Sequence, residues 1–420
     1  MHLKPDTPHG PYVSLLDLVG CLSRAMDLIS PAVGNHHARV GYIAAALAAT
    51  LGLDQDLRGD LLLAGLLHDS GALSLKSRLD ALQFEADGKV HAEMGYRLLR
   101  ASTRLARPAA FIRRHHATAR MVRAAGDIPM EANLLCLADR IDVLIARDAP
   151  IGPQVAAICE RIRRSGPEVF DAAYLDAFVT LAEDQEFWEG AAAPLGNLLR
   201  YAPEVLQAET LDHAGILEFS ALFSQIIDFR SPFTATHSHG VAVVASCLAK
   251  ALGFPASECE LMHVAGNLHD LGKLAVPAEL IEKPAPLTAE EYEIVKKHAL
   301  HSYEILSDLK GLAPIVTWAA LHHERLDGAG YPFGYAESEI STGARILAVA
   351  DVFTAVAEDR PYRRGMAKDE VIEILREMAE GDKLDADVVR LLLEHFDEVN
   401  AERIRGQKHA RLAFEGFYKK

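Results

Sequence analysis

The chain has 420 residues, of which 50% are hydrophobic and 24% are charged, a composition typical of a globular protein and a length that suits two or three domains. Its formal net charge of −16 disfavours binding to a nucleic-acid polymer. The five cysteines never show C-x-x-C spacing, which argues against a disulfide framework or a zinc knuckle, and no apolar run has the length of a membrane span. We therefore expect a cytoplasmic protein that binds neither nucleic acid nor membrane.

The predicted elements occur twice along the chain. Residues 23–73 recur without a gap as residues 224–274, so that His36 aligns with His237 and His68-Asp69 aligns with His269-Asp270. Further along, one histidine precedes a pair of adjacent histidines by the same spacing in both copies, at 91 and 115–116 and at 298 and 322–323. We interpret the chain as two copies of one structural plan.

Both copies have the pattern of helices. Residues 40–51 and 241–252 are rich in Ala and Leu, with apolar residues three and four positions apart, and a glycine follows each segment as a helix stop. No stretch shows a sustained alternation of β-branched residues. The sequence therefore predicts an all-α protein with a first unit at 13–190, a linker at 191–213, a second unit at 214–400 and a helical tail at 401–420.

The second unit carries seven residues whose side chains bind divalent metals, namely His237, His269, Asp270, His298, His322, His323 and Asp351. Imidazole combined with carboxylate suits Fe, Mn, Zn or Co. Any one of these histidines alone would be interpreted as a surface or core residue. The whole set recurs in the first unit, however, and this favours a second metal site at His36, His68, Asp69, His91, His115, His116 and Asp139.

The second unit also resembles an HD-GYP domain of the HD phosphohydrolase superfamily. The resemblance covers most of residues 222–398 and rests on THSHGV (236–241), LHDLGK (268–273), IEKPAPLT (281–288), KKHALHSYEIL (296–306), HHERLDGAGYP (322–332), ARILAVAD (344–351) and DRPYRR (359–364). It implies two tandem HD-type domains and hydrolysis of a cyclic dinucleotide, usually cyclic di-GMP, at a cluster of two or three metals. It also implies that the seven residues of the second unit are the ligands.

Two departures from the family pattern bear on the site. Three-metal members carry Glu where this chain has Phe233, so we predict a dinuclear centre, with Fe or Mn as the favoured metals. The H-x-x-R-V pattern of the family usually has Arg where this chain has Gly240, whereas the first unit keeps that residue as Arg39.

Two residues are expected to act directly in catalysis. Asp270 is expected to bridge the two metals, which would activate water for attack on the phosphodiester. Lys273 follows three residues later and is expected to contact the scissile phosphate or to protonate the departing oxygen. The alternative for Lys273 is a solvated lysine at a helix end.

Substrate contacts are expected from the glycine-rich segment 327–332 and from three arginines. The segment follows two ligands directly and would form a wall of the site, with Tyr331 packed on a base or on Arg345. Arginine makes paired hydrogen bonds to phosphate or guanine, although each could instead pair with an acidic residue. The substrate-binding residues predicted on these grounds are Lys273, Gly330, Tyr331, Arg345, Arg360 and Arg363.

The first unit keeps the ligand types but has Ala72 in place of the lysine and lacks the GYP and RPYR segments. We therefore expect a divergent HD-like domain that regulates or dimerises the protein. A relict cluster and a second nucleotide hydrolase remain alternatives.

The leading hypothesis is a metal-dependent phosphodiesterase that opens cyclic di-GMP to linear pGpG and then to GMP. The close alternative substrate is 3′,3′-cyclic GMP-AMP. A redox diiron oxygenase of the same superfamily would keep the metals but change the chemistry. A signalling scaffold with a structural metal site would instead bind protein partners through the GYP surface.

Overall fold

A computed structural model of the chain describes residues 13–28, 34–72, 89–229, 236–281, 283, 285–359 and 364–418. Apart from two paired strands, Val13–Ser14 (β1) and Thr210–Leu211 (β2), and four short 3₁₀ turns, the regular elements of these residues are α-helices. The predicted all-α class is therefore confirmed. In the described part of the chain, no helix combines the length and the apolar character needed to cross a membrane.

The chain divides into two compact units, Ser14–Glu209 and Thr210–Lys420, the second of which also takes in Val13. The helices of the first unit are α1 Leu15–Asp27, α2 His36–Thr50, α3 Gln55–Leu67, α4 Lys89–Leu99, α5 Ala106–Arg113, α6 Ala119–Ala125, α7 Met130–Val143, α8 Val155–Ser165, α9 Ala172–Ala182, α10 Gln185–Ala192, α11 Pro194–Tyr201 and α12 Glu204–Ala208, with a 3₁₀ turn at Gly152–Gln154.

The helices of the second unit are α13 His213–Asp228, α14 His237–Ala251, α15 Ala256–Leu268, α16 Ala278–Ile281, α17 Ala289–Leu306, α18 Ala313–Ala320, α19 Thr342–Ala357, α20 Lys368–Glu380, α21 Ala386–Glu394 and α22 Phe396–Tyr418. Its 3₁₀ turns are Leu271–Ala275, Lys310–Leu312 and Glu337–Glu339. The helices α2 and α3 correspond residue for residue to α14 and α15, as the internal repeat predicts.

A buried central helix organises each unit. In the first unit, α2 packs against α3 and α7, and in the second, α14 packs against α15, α19 and α22. A glycine permits the close crossing in both. A Cβ on Gly65 would lie 2.5 Å from the Cα of Gly41, and a Cβ on Gly266 would lie 2.4 Å from the Cα of Ala242. In the second unit, this contact brings the start of α14 beside the end of α15, where His237, His269 and Asp270 lie.

The structure differs from the expected boundaries at two places. Residues 194–208, which we expected within a linker, form α11 and α12 and belong to the first unit, where Leu198 and Leu206 are buried. Two prolines, Pro194 and Pro203, make the sequence of this segment resemble a linker. Both prolines stand at helix starts, where proline is tolerated. The expected tail is part of the continuous helix α22, which packs along α14.

Candidate metal centre

The seven predicted ligands of the second unit come together from five places in the chain. His237 begins α14, His269 and Asp270 follow α15, His298 lies in α17, His322 and His323 follow α18, and Asp351 lies in α19. Six of them are buried and His323 is half-buried.

The ligands form two groups, each with its ligand atoms within 4.8 Å of one another. One group is His298, His322 and His323, and the other is His237, His269 and Asp351. Asp270 reaches towards both groups. Its Oδ1 lies 3.4 Å from His298 Nε2, and its Oδ2 lies 3.2 Å from His269 Nε2. The position of this carboxylate fits the bridging role that the sequence predicts.

Three of the imidazoles are oriented by the backbone of their own helices. The Nδ1–H groups of His269, His298 and His322 donate to the carbonyl oxygens three residues earlier, at 2.7, 2.6 and 2.6 Å. Because Nδ1 carries the proton in this arrangement, Nε2 is the ring nitrogen that could bind a metal. This arrangement is typical of metal-binding histidines.

His237 is oriented by a side chain that sequence reasoning missed. Its Nδ1 lies 3.2 Å from Oε1 of the buried Glu358, while its Nε2 lies 3.0 Å from Asp351 Oδ1. Glu358 stands seven residues after Asp351, directly after the end of α19, a spacing of about two helical turns. That spacing is the only signal in the sequence that could have indicated its role.

Burial and charge set the protonation states of the cluster. Burial lowers the pKa of His298 to about 3 and that of His323 to about 4, so both imidazoles are neutral at neutral pH. Burial raises the pKa of Asp270, but His269 and Lys273 outweigh it and hold that pKa well below its ordinary value. Neutral imidazoles and ionised carboxylates are the forms that bind metals.

Burial also lowers the pKa of His237, but Glu358 and Asp351 outweigh it and raise that pKa to about 10. The acidic neighbours of His237 therefore favour a positive charge at its ring, and a metal cation at Nε2 would take the place of the proton.

The donor set fits divalent transition metals. Two buried atoms that face into the cluster, His269 Nε2 and Asp270 Oδ1, have no hydrogen-bond partner among the described residues. A buried polar atom without a partner costs free energy, and a metal ion would supply the missing contact. Imidazole and carboxylate together suit Fe, Mn, Zn or Co. The seven residues are therefore suited to hold such ions.

Lys273 lies at the edge of this cluster. It stands in the 3₁₀ turn Leu271–Ala275, and its Nζ is 2.5 Å from Asp270 Oδ2. The side chain is 21% exposed, so the ammonium group lies between the buried ligands and the outside of the unit. It is paired with a ligand carboxylate and is not a freely solvated helix-end lysine.

The segment 327–335, which contains Gly330-Tyr331-Pro332 and is called the GYP loop below, packs directly on the predicted ligand His323. The ring of Tyr331 lies 4.7 Å from the ring of His323, measured between centroids, so this tyrosine does not pack on Arg345 as one expectation had it. A Cβ on Gly330 would lie 2.5 Å from the Cα of Glu324, and only glycine permits this close approach.

Glu324 holds the loop and was missed by sequence reasoning. Its buried carboxylate accepts hydrogen bonds from the backbone N–H groups of Phe333, Gly334 and Tyr335, at 2.7, 3.2 and 3.1 Å. An acidic residue directly after two ligands was its only signal in the sequence. The structure thus gives the loop a fixed place beside His323.

The predicted role of Arg345 in substrate binding is not supported. Its guanidinium donates to Asp385 at 2.9 Å, to Glu337 at 3.3 Å and to the carbonyl of Ile340 at 2.9 Å. The structure agrees with the alternative that Arg345 pairs with acidic residues, because these partners occupy donors of its guanidinium. The other two predicted arginines, Arg360 and Arg363, lie outside the described residues.

The predicted ligands of the first unit also come together. His36, His68, Asp69, His91, His115 and Asp139 are buried and His116 is half-buried. His91 Nε2 lies 3.0 Å from Asp69 Oδ1, and the Nδ1–H groups of His68 and His115 donate to backbone carbonyls, as in the second unit. The positive side chain at this cluster is Arg140, which lies 2.5 Å from Asp139 Oδ2 and was not predicted.

Known proteins resemble the chain in sequence and in fold. The HD domain family matches residues 221–388 and, in a second match, residues 33–144. The 3′3′-cGAMP-specific phosphodiesterase 1 of Vibrio cholerae is 30% identical over 398 residues, which are 91% of this chain and 92% of that protein. A cyclic di-GMP phosphodiesterase of Pseudomonas aeruginosa is 38% identical over 170 residues, 40% of each chain. A crystal structure of a cyclic GMP-AMP-specific phosphodiesterase of V. cholerae matches 92% of this chain, and the match covers 98% of the chain in that crystal structure. The TM-score is 0.64 and the sequence identity is 23%, so the two proteins share the fold.

Proposed function

The chain belongs to the HD domain family, in its HD-GYP type, and from this premise we propose that its second unit is a metal-dependent phosphodiesterase acting on a cyclic dinucleotide. The observation that carries the proposal is the convergence of seven ligand side chains, with two buried atoms left without a hydrogen-bond partner among the described residues. The relatives named for this activity support the substrate class.

Seven residues of the second unit are proposed to bind the metal ions. His237, His269, Asp270, His298, His322, His323 and Asp351 would hold the cations. When bound, two divalent ions neutralise charge on a phosphate and make water acidic enough to act as a nucleophile at neutral pH. A strongly acidic protein can thereby bind a substrate with two negative phosphates.

Lys273 and Tyr331 would act on the substrate. The Lys273 ammonium, held by Asp270, is suited to contact the scissile phosphate and to deliver a proton to the departing sugar oxygen. Tyr331 lies against His323 and would present its ring to a base of the dinucleotide. Gly330 contributes by allowing the loop to approach Glu324.

Two substrates of this class are supported by different relatives. The likeness that spans nearly the whole chain is to a protein named for 3′,3′-cGAMP, and this makes cyclic GMP-AMP the first substrate to test. Cyclic di-GMP, the leading substrate from the sequence motifs, is supported by a shorter likeness of higher identity. The product in either case would be the linear dinucleotide, which further hydrolysis converts to mononucleotides.

The experiment is a metal assay combined with a product assay. The purified protein is expected to contain about two Fe or Mn ions per second unit and to open both cyclic dinucleotides, at different rates. Turnover without oxygen would separate this activity from that of an oxygenase. Metal-replete, folded protein that leaves every cyclic dinucleotide intact would contradict the proposal and favour a scaffold.

The first unit would be a second, HD-like metal-binding domain with a regulatory or dimerising role. Its cluster supports metal binding, and the lack of a lysine at Ala72 separates it from the phosphodiesterase site. Homodimerisation, signalling partners and a cytoplasmic location stay predictions of the sequence.

A further inference from the structure

The two units hold their first histidine ligand by different means. In the first unit, His36 Nδ1 lies 2.5 Å from Asp142 Oδ2, and Arg39, one turn along α2, donates to Oδ1 of the same carboxylate. Asp142 and Arg39 are both buried. Arg147, which follows α7, also donates to Asp142 Oδ2, at 2.6 Å. The acidic partner of His36 is therefore held by two arginines of the same unit.

The second unit has other residues at the positions of Arg39 and Asp142. Gly240 stands in the place of Arg39, and Thr354 stands in the place of Asp142, as counted from the ligands His237 and Asp351. Glu358, four residues after Thr354 and directly after α19, makes the contact with His237 Nδ1 instead. Its carboxylate receives a hydrogen bond from another part of the unit.

Helix α22 supplies that donor. Gln407 Nε2 donates to Glu358 Oε2 at 2.8 Å and lies 3.4 Å from the carbonyl oxygen of Thr236, the residue before the ligand. Arg403 Nη1 donates to Gln407 Oε1 at 2.5 Å. Since a guanidinium can only donate and a carboxylate can only accept, these neighbours fix the orientation of the amide.

The glycine in α14 makes room for this contact. A Cβ on Gly240 would lie 2.8 Å from Gln407 Nε2 and 3.0 Å from Thr354 Cγ2. An arginine at this position, as in the first unit, would collide with the glutamine. The glycine at 240 and the glutamine at 407 therefore suit each other sterically.

We propose that Gln407 is a positioning residue for the metal ligand His237, acting through Glu358, and that helix α22 is thereby part of the metal centre. The inference rests on the proposed metal binding of the second unit. A residue that orients a ligand in this way typically affects metal affinity or activity by 10-fold to 100-fold when it is replaced.

The test is the substitution Gln407→Leu, which keeps the approximate volume and removes the donors. It is made in an Asp69→Asn background to weaken the cluster of the first unit. Binding of Mn²⁺ alone is measured by calorimetry, and the melting temperature is measured with and without Mn²⁺. The matched control is Val399→Ala, a buried change on the same helix at a side chain that cannot form a hydrogen bond to Glu358.

We expect Gln407→Leu to weaken Mn²⁺ binding by about 10-fold or more, and to reduce the rise in melting temperature that Mn²⁺ causes, while Val399→Ala leaves both unchanged. If Gln407→Leu lowers the melting temperature equally with and without Mn²⁺ and the affinity stays that of its parent, the role is structural and the inference is overturned. If the parent itself binds no Mn²⁺, the proposed function fails together with the inference. Should the leucine variant not fold, Gln407→Met gives the same comparison.

Discussion

The carboxylate between the two histidine groups is the residue on which the site depends most. Asp270 is buried, lies near His269 and His298, and has a depressed pKa, so it is ionised throughout the neutral range. Asp69 has the same surroundings of histidines in the first unit. The two aspartates can therefore be compared directly. Only the unit of Asp270 carries the proposed substrate contacts.

We expect Asp270→Asn to lower hydrolysis of cyclic dinucleotides by at least about 100-fold, because the amide cannot serve as an anionic ligand. Asp69→Asn should leave more than about half of the rate. The measurement is the initial rate of linear product formation, with metal content determined on the same samples. Equal losses in the two variants would show that the units do not divide the labour as proposed.

Lys273 offers a second prediction at this scale. Replacement by Met removes the ammonium but keeps most of the chain length, and it should lower kcat by about 100-fold while metal content is retained. Lys283, a partly exposed lysine paired with Glu291, provides the control as Lys283→Met. A Lys273→Met enzyme with the parent kcat would mean that the lysine only neutralises Asp270.

The predicted ligands can be grouped from the sequence, and the residues that support them cannot. Ligand types repeat at fixed spacings, so the sequence predicts seven ligands in each unit, and the structure brings these residues together. Glu358 and Glu324 are ordinary acidic residues until the fold brings them to His237 and to the GYP loop. Arg345 pairs with Asp385 and Glu337, and the sequence could not favour substrate over such a pair because a chain with 59 acidic residues offers many partners to an arginine.

At the scale of elements, the GYP loop is held by one buried side chain. Glu324 accepts hydrogen bonds from the backbone N–H groups of three consecutive residues, 333 to 335. This carboxylate therefore fixes the whole end of the loop. Hydrogen bonds to a charged group contribute about 1.5–3 kcal/mol each. The loop should therefore loosen when the charge is removed, while the ligands stay in place.

The substitution Glu324→Gln tests this. We expect faster amide hydrogen exchange in residues 328–335 and a KM several-fold higher, because the wall that Tyr331 forms beside His323 is less well defined. Metal content should stay that of the parent. Unchanged exchange in this segment would show that the loop is held by other contacts.

Helix positions were predicted better than domain boundaries. The apolar spacing and the glycine stops predicted α2 and α14 because a buried helix needs apolar residues on all its faces. The segment around α11 and α12 was misread because short helices that begin at proline resemble a linker until their few apolar residues are seen to be buried.

At the scale of the whole molecule, each unit carries its own cluster of ligand types. Binding of a ligand to the folded state stabilises it by about 2.7 kcal/mol at 100 times the dissociation constant. For a unit of about 200 residues, this corresponds to a rise in melting temperature of about 5–10 °C.

We therefore expect chelator-treated protein to melt about 5–10 °C below the Mn²⁺-loaded protein, by differential scanning calorimetry. Asp270→Asn and Asp69→Asn should each remove the increase from one unit only. A melting curve that does not respond to chelator and to added Mn²⁺ would contradict metal binding in both units.

The contact between helix α22 and the residue before the first ligand joins positions 171 apart in the sequence. A ribosome releases His237 long before it releases Gln407, so all seven predicted ligands of the second unit are made before the helix that would steady the first of them. In the first unit, Arg39 and Asp142 are both made well before the second unit begins. Maturation of the second cluster is therefore expected to be the later event, completed only after α22 has been translated.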